Sequence, residues 1–207
     1  MALRASLAAL ALLAMGWFVV DFIRSRRPYH LDEGVLAGWT LVTAAPGDAA
    51  LVGLKPPSSL STSLYGQLSE RLDVPLAAPD LPLVPLVLRD EYSEGLQGVM
   101  SVDDILNVAR EVGMDTARFE PVCVGRRHES APGAERDVYF VLFDSPLFTE
   151  FRQQLTPLFP EHAGNGTYVP GALHPILSIA ASDAEFGRSR PIALESRADC
   201  EAGLQVD

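Results

Sequence analysis

A chain of 207 residues that is 48% hydrophobic and 21% charged has room for one membrane segment and one folded domain of ordinary size. Its net charge of −11 excludes the common duplex nucleic-acid binder, which needs clustered positive charge to displace counterions. An enzyme acting on a short nucleotide end is not excluded, because local charge can oppose the global sign.

The first predicted element is apolar. Residues 5–23 run almost without charge, broken only by Asp21, and are closed by Arg24, Arg26 and Arg27. At about 1.5 Å per residue this run matches a bilayer core roughly 30 Å thick. The bulky carboxyl end of the run fits a retained single-pass transmembrane helix in lipid better than a cleaved leader, which would end in a small-x-small site. Residues 1–27 are therefore read as a membrane anchor with a basic flank, and 28–207 as the attached domain. The arginines that follow the span place that domain on the cytoplasmic side, or in the matrix if the membrane is the mitochondrial inner one.

After a polar spacer over 28–34, Val35 to Thr43 and Ala49 to Leu54 have the length and β-branched content of strands, joined by the turn chemistry of Ala-Pro-Gly-Asp. Leu60, Leu64, Leu68 and Leu72 then recur every four residues, the stripe of a helix, with serine at its head as N-cap. Four prolines between Pro75 and Pro85 enforce a loop, and the short strand over 84–88 is confined by Pro85 to an edge or entry position. Ser101 to Asp104 form a helix-start box, Ile105, Leu106, Val108 and Ala109 give the apolar face, and Gly113 ends the helix. Asp103 and Asp104 lie in the first turn, where the helix dipole favours negative charge; that structural role is sufficient for the pair.

The chain is organised around residues 119–180: a strand over 119–125, a charged turn over 126–136, a strand over 137–145, a helix, a polar loop and a last strand over 174–180. The whole reads as an α+β fold, a mixed sheet-and-helix domain behind the N-terminal transmembrane helix. Cys123 and Cys200 lack metal-ligand spacing; a disulfide between them is one reading, and two ordinary free thiols is the favoured one. Asn165-Gly166-Thr167 fits the glycosylation pattern and is read as a turn.

Four histidines offer chemistry. His30 and His162 are read as solvated. His128, in the Arg126-Arg127-His128-Glu129-Ser130 stretch, is read as part of an exposed turn whose arginines can hold a phosphate or a partner's carboxylate. His174 opens the last strand, and Ile176, Ser178 and Ala180 follow at alternating positions on its face. An imidazole to pass a proton and a hydroxyl to hold an oxygen can together address a phosphate.

From Phe119 onward, FEPVCVG, DVYFVLFDSPLFTEFRQQL and HPILSIAASDAEFG resemble the second half of the 2H phosphoesterases, over roughly residues 100–190. That group includes the ligase-like cyclic phosphodiesterases. The resemblance implies a bilobal α+β fold and two His-x-Thr/Ser motifs on facing strands, whose histidines act as acid and base on a 2′,3′-cyclic phosphate. On this chain the motif's first histidine and proline correspond to His174 and Pro175, its catalytic histidine to Ile176 and its threonine to Ser178. His128-Glu129-Ser130 fits the letters of the first motif but not its place on a strand. A two-histidine mechanism without its histidines loses both acid and base. The sequence therefore reads as a membrane-anchored, non-catalytic accessory or scaffold protein with partners in a membrane complex. The alternative is a tethered phosphodiesterase acting on cyclic nucleotide or RNA-end phosphates through His174, Ser178 and His128. No glycine-rich phosphate loop or metal-ligand spacing is present, so no cofactor and no metal are expected.

Overall fold

A computed structural model describes residues 27–72, 74–131, 134–159, 173–183 and 199–207. These form an α+β arrangement with two sheets in place of the single sheet expected. The strands are β1 (Tyr29–Leu31), β2 (Thr40–Thr43), β3 (Ala50–Lys55), β4 (Val84–Leu88), β5 (Glu120–Ala131), β6 (Ala134–Asp144), β7 (Ile176–Ala181) and β8 (Cys200–Val206). The helices are α1 (Ser58–Arg71), α2 (Val102–Val112) and α3 (Pro146–Leu155). A five-stranded sheet runs β1-β8-β5-β6-β7, and a three-stranded sheet runs β2-β3-β4.

The expected transmembrane helix is corrected. Among the described residues no helix is long and apolar enough to cross a membrane. The longest, α1, has 14 residues and spans about 21 Å at 1.5 Å per residue; its buried stripe of Leu60, Leu64 and Leu68 faces protein, with serines and glutamate on the rest of its surface. The apolar run over 5–23 lies outside the described residues, as do His162 and the Asn165-Gly166-Thr167 turn.

Local chemistry explains most element ends. The hydroxyl of Ser101 accepts from the Asp104 amide while the Asp104 carboxylate accepts from the Ser101 amide at 2.9 Å, the reciprocal box expected at the head of α2. Hydrogen bonds from the Ser101 hydroxyl and amide hold the Asp104 carboxyl below the usual carboxylate range. Gly113 ends α2 with φ 84°, a left-handed conformation that costs a residue without Cβ nothing. At α1 the expected serine cap is absent: Pro57 occupies the N-cap with no side-chain bond, and Ser58 is already helical. Pro85 sits on β4, an edge strand, as its missing N–H demands.

A single apolar core joins the two sheets. Val52, Leu54, Val84 and Leu86 of the small sheet, Tyr139, Val141 and Leu177 of the large one, the α1 leucines and Phe148 and Phe151 of α3 all belong to it. The other face of the large sheet carries a smaller cluster of Cys123, Val138, Phe140, Leu142, Ile176 and Ala181. Between α3 and β4 the layers are tied by a buried ion pair of Arg152 with Glu91; Arg152 also donates to the Leu86 carbonyl at 3.1 Å, and Glu91 accepts from the Leu88 amide at 2.9 Å.

Three further expectations change, two about strands and one about the cysteines. Of the strand read over 35–43 only Thr40–Thr43 is extended, a short 3₁₀ turn taking Glu33–Leu36. The charged turn read over 126–136 is mostly ladder: β5 and β6 pair continuously from Gly125↔Phe140 through Arg126↔Tyr139 and His128↔Asp137 to Ala131↔Ala134. Cys123 and Cys200 form a disulfide, overturning the preference for free thiols. Their strands are antiparallel neighbours, with Cα atoms 5.7 Å apart, inside the range a disulfide spans.

Candidate functional site

The ladder that replaces the expected turn creates a charged cluster on one sheet face. Residues directly opposite on antiparallel strands share a face, so Arg126 and Tyr139 stand side by side, with His128 and Asp137 beyond them. Asp137 is the hub. Its Oδ2 accepts from Arg126 Nη2 at 2.8 Å and its Oδ1 lies 3.1 Å from His128 Nδ1. Its backbone is pinned to the end of β7, the Asp137 amide donating to Ser182 Oγ at 2.9 Å and the Ser182 amide donating to the Asp137 carbonyl at 3.0 Å. Glu201 of β8 flanks the other side of Arg126, Nη1 to Oε1 3.9 Å.

Most of the perturbed acid–base groups of the described residues gather here or beside it. The Arg126 hydrogen bond, aided by His128, holds the Asp137 carboxyl below the usual carboxylate range against partial desolvation. The same bond raises Arg126. Desolvation pushes up the Glu201 carboxyl, with Arg126 opposing and Asp137 adding to the rise. Burial likewise raises the phenols of Tyr139 and Tyr29, and Arg71 lies 3.7 Å over the Tyr29 ring. Clustered shifts of this kind mark functional sites, and equally mark structural ion-pair networks.

The arrangement gives His128 an oriented ring: Asp137 engages Nδ1, and the imidazole remains exposed beside a guanidinium. Among the described residues it does not supply a second imidazole. His174 is partly buried and precedes β7 by two residues, next to Pro175, whose carbonyl accepts from the Phe143 amide at 2.9 Å. The strand steps from Asp137 to Phe143 separate His128 from His174 by about 20 Å at a rise of 3.4 Å each. Ser178 pairs with Phe140, placing it on the face opposite His128. Ile176 is buried in the apolar cluster of that face. The face expected to be shared by His174, Ile176, Ser178 and Ala180 is broken by a register irregularity, after which Ala180 pairs with Tyr139 and turns to the main core.

Away from this cluster, a groove of about 280 Å³ is lined by Trp39, Leu36, Gly38, Asp115 and the Arg118–Glu33 ion pair. Its lining among the described residues includes no histidine. Among the described residues no cluster of three or more histidine, cysteine or carboxylate side chains is disposed to hold a metal.

Sequence reasoning missed Asp137, Tyr139 and Glu201. The signal was present for Asp137: counting back from the Ala131↔Ala134 pair matches it with His128. For Glu201 none was available, since its place depends on a strand 77 residues from its disulfide partner. Comparison with known proteins finds no matching family model, no matching curated protein and no matching solved structure.

Proposed function

We propose that this chain is a non-catalytic accessory or scaffold protein that works through protein partners in a larger assembly. The observation that carries the reading is the separation of the two candidate histidines. Acid–base hydrolysis of a phosphodiester needs both proton-transfer groups within hydrogen-bond reach of one substrate, roughly 3 Å on each side. His128 and His174 lie at opposite ends of β6, and Ile176 fills the position where the 2H resemblance would put a proton carrier. The carboxylate beside His128 is committed to Arg126 as well, the economy of a surface network.

The second reading, a phosphodiesterase, draws on one specific feature: His128 is oriented by Asp137 next to Arg126, an arrangement able to approach a phosphate. Incubation of the full chain with 2′,3′-cyclic nucleotides separates the two. The accessory reading expects no turnover above buffer, unchanged by His128→Ala or His174→Ala. Turnover abolished by either substitution would overturn it in favour of the enzyme.

A further inference from the structure

The C-terminal strand is a poor strand by composition, yet it holds the large sheet together. Its sequence, Cys-Glu-Ala-Gly-Leu-Gln-Val, includes glutamate, alanine and glycine, residues depleted in sheets. Only Ala202, 7% exposed, is buried. It meets β5 at three register positions, Cys123↔Gly203, Val124↔Ala202 and Gly125↔Cys200, with an irregularity between the last two. Its other edge pairs in parallel with β1 at Tyr29↔Leu204, His30↔Gln205 and Leu31↔Val206. Strand β1 has its own hold on α1: Gln67 bonds both the His30 amide, at 2.9 Å, and the His30 carbonyl, at 2.7 Å. In the sheet order β8 is therefore the link between β1 and the β5–β6–β7 part. Against β5 the strand offers three rungs with one irregularity and one buried methyl group, with Leu204 only partly buried on the main core, which is little against the ordering of seven residues.

The Cys123–Cys200 disulfide supplies what the side chains lack. It joins the strand directly to β5; with β5, β6, α3 and β7 folded, the undocked strand would hang on the roughly 18 residues that separate Ala181 from Cys200, and the bond removes the freedom of that stretch. Gly125, opposite Cys200, admits the strand's entry: a Cβ there would lie 2.7 Å from the Asp199 carbonyl oxygen and 2.2 Å from the Phe140 ring.

We infer that β8 docks only in the oxidised protein, and that this disulfide is a lock set during maturation by a dithiol–disulfide oxidant. In the setting reaction the Cys200 thiolate attacks the oxidant's disulfide and forms a mixed disulfide, releasing one oxidant thiol. The Cys123 thiolate then attacks Cys200 Sγ and expels the second. The protein loses two electrons and two thiol protons, and the oxidant becomes a dithiol. The lock resists reversal because its two sulfurs differ in surroundings. Cys200 is partly exposed, so a reductant thiolate attacks there and must expel Cys123. Cys123 is 4% exposed among Val138, Phe140, Leu142 and Ile176, where a thiolate is poorly solvated and leaves slowly.

Two consequences follow. The lock requires an oxidising compartment, where such bonds form and persist, whereas the arginine flank by itself points to the cytoplasmic or matrix side. The charged cluster is completed by the same event, since β8 carries Glu201 to Arg126. Neither depends on the accessory role proposed above.

Hydrogen exchange on the full chain, before and after dithiothreitol, tests the lock. Reduction is expected to speed exchange over 200–206 by about a hundredfold, on the order of what closing a loop of roughly 15–20 residues provides, while α2 and α3 keep their protection. Cys200→Ser and Cys123→Ser are expected to reproduce that local pattern without reductant. Unchanged protection of β8 after reduction would overturn the inference. So would simultaneous loss of protection in α2 and α3, which would make the bond a global tie, or two free thiols in untreated protein from an oxidising host.

Discussion

Two ion-pair clusters in this molecule use the same chemistry in opposite surroundings. Arg152 and Glu91 are sealed between α3 and β4, with the Leu86 carbonyl and the Leu88 amide as further partners. Arg126, His128, Asp137 and Glu201 stand on the sheet face in contact with water. The buried pair is committed: desolvated charges tolerate one geometry, and losing either partner strands the other. The exposed cluster is adjustable, since water screens its members and can replace any of them. Under the proposed accessory role, a partner protein would have the second cluster to work with and not the first.

Arg152→Ala gives the largest expected effect, a loss of about 3–5 kcal/mol in urea unfolding, because the Glu91 carboxylate is left buried without its cation. Replacing both residues with leucine is expected to recover most of that loss. A single-site cost near 1 kcal/mol would remove the contrast between the clusters. Asp137→Asn is expected to cost about 1 kcal/mol or less, as partly exposed pairs do; a cost as large as that of Arg152→Ala would mean that the sheet face is structurally committed too.

The pH dependence is smaller and has two signs. Asp137 is depressed in the folded state, so its contribution is fully present above its unfolded pKa near 4 and is lost as pH falls through the lower folded value. Glu201 is raised, so its contribution is present below its unfolded pKa and disappears as pH rises through the higher folded value. Asp137→Asn is therefore expected to flatten the acid limb of the stability profile below about pH 4, and Glu201→Gln to remove a slight loss of stability on the way from mildly acid to neutral pH. Acid denaturation profiles of the two variants against the parent check both signs.

The parts of the fold that local chemistry decides were legible in the sequence. The leucine stripe of α1, the reciprocal cap of α2 with its terminating Gly113, and the β2–β3 hairpin all rest on residues within a few positions of one another. Distant contacts escaped. Strand β1 is three residues long, with only Tyr29 and Leu31 to alternate, and exists because β8 pairs with it. Strand β8 contains too few strand formers to declare itself and is held by a disulfide. The ladder from Arg126 to Ala131 was hidden by its charges: both faces of the hairpin end are polar, so the alternation that reveals a half-buried strand is missing. The candidate site inherits that gap. His128 was visible as a residue, but the carboxylate that orients it followed from a register the composition did not suggest.

The histidine ring signals of the full chain, followed by NMR while a 2′,3′-cyclic nucleotide is added, test the non-catalytic reading most directly. With about 20 Å between His128 and His174, one phosphate cannot meet both, and the account predicts that their ring signals do not move together. Joint displacement of both along one saturation curve would contradict it.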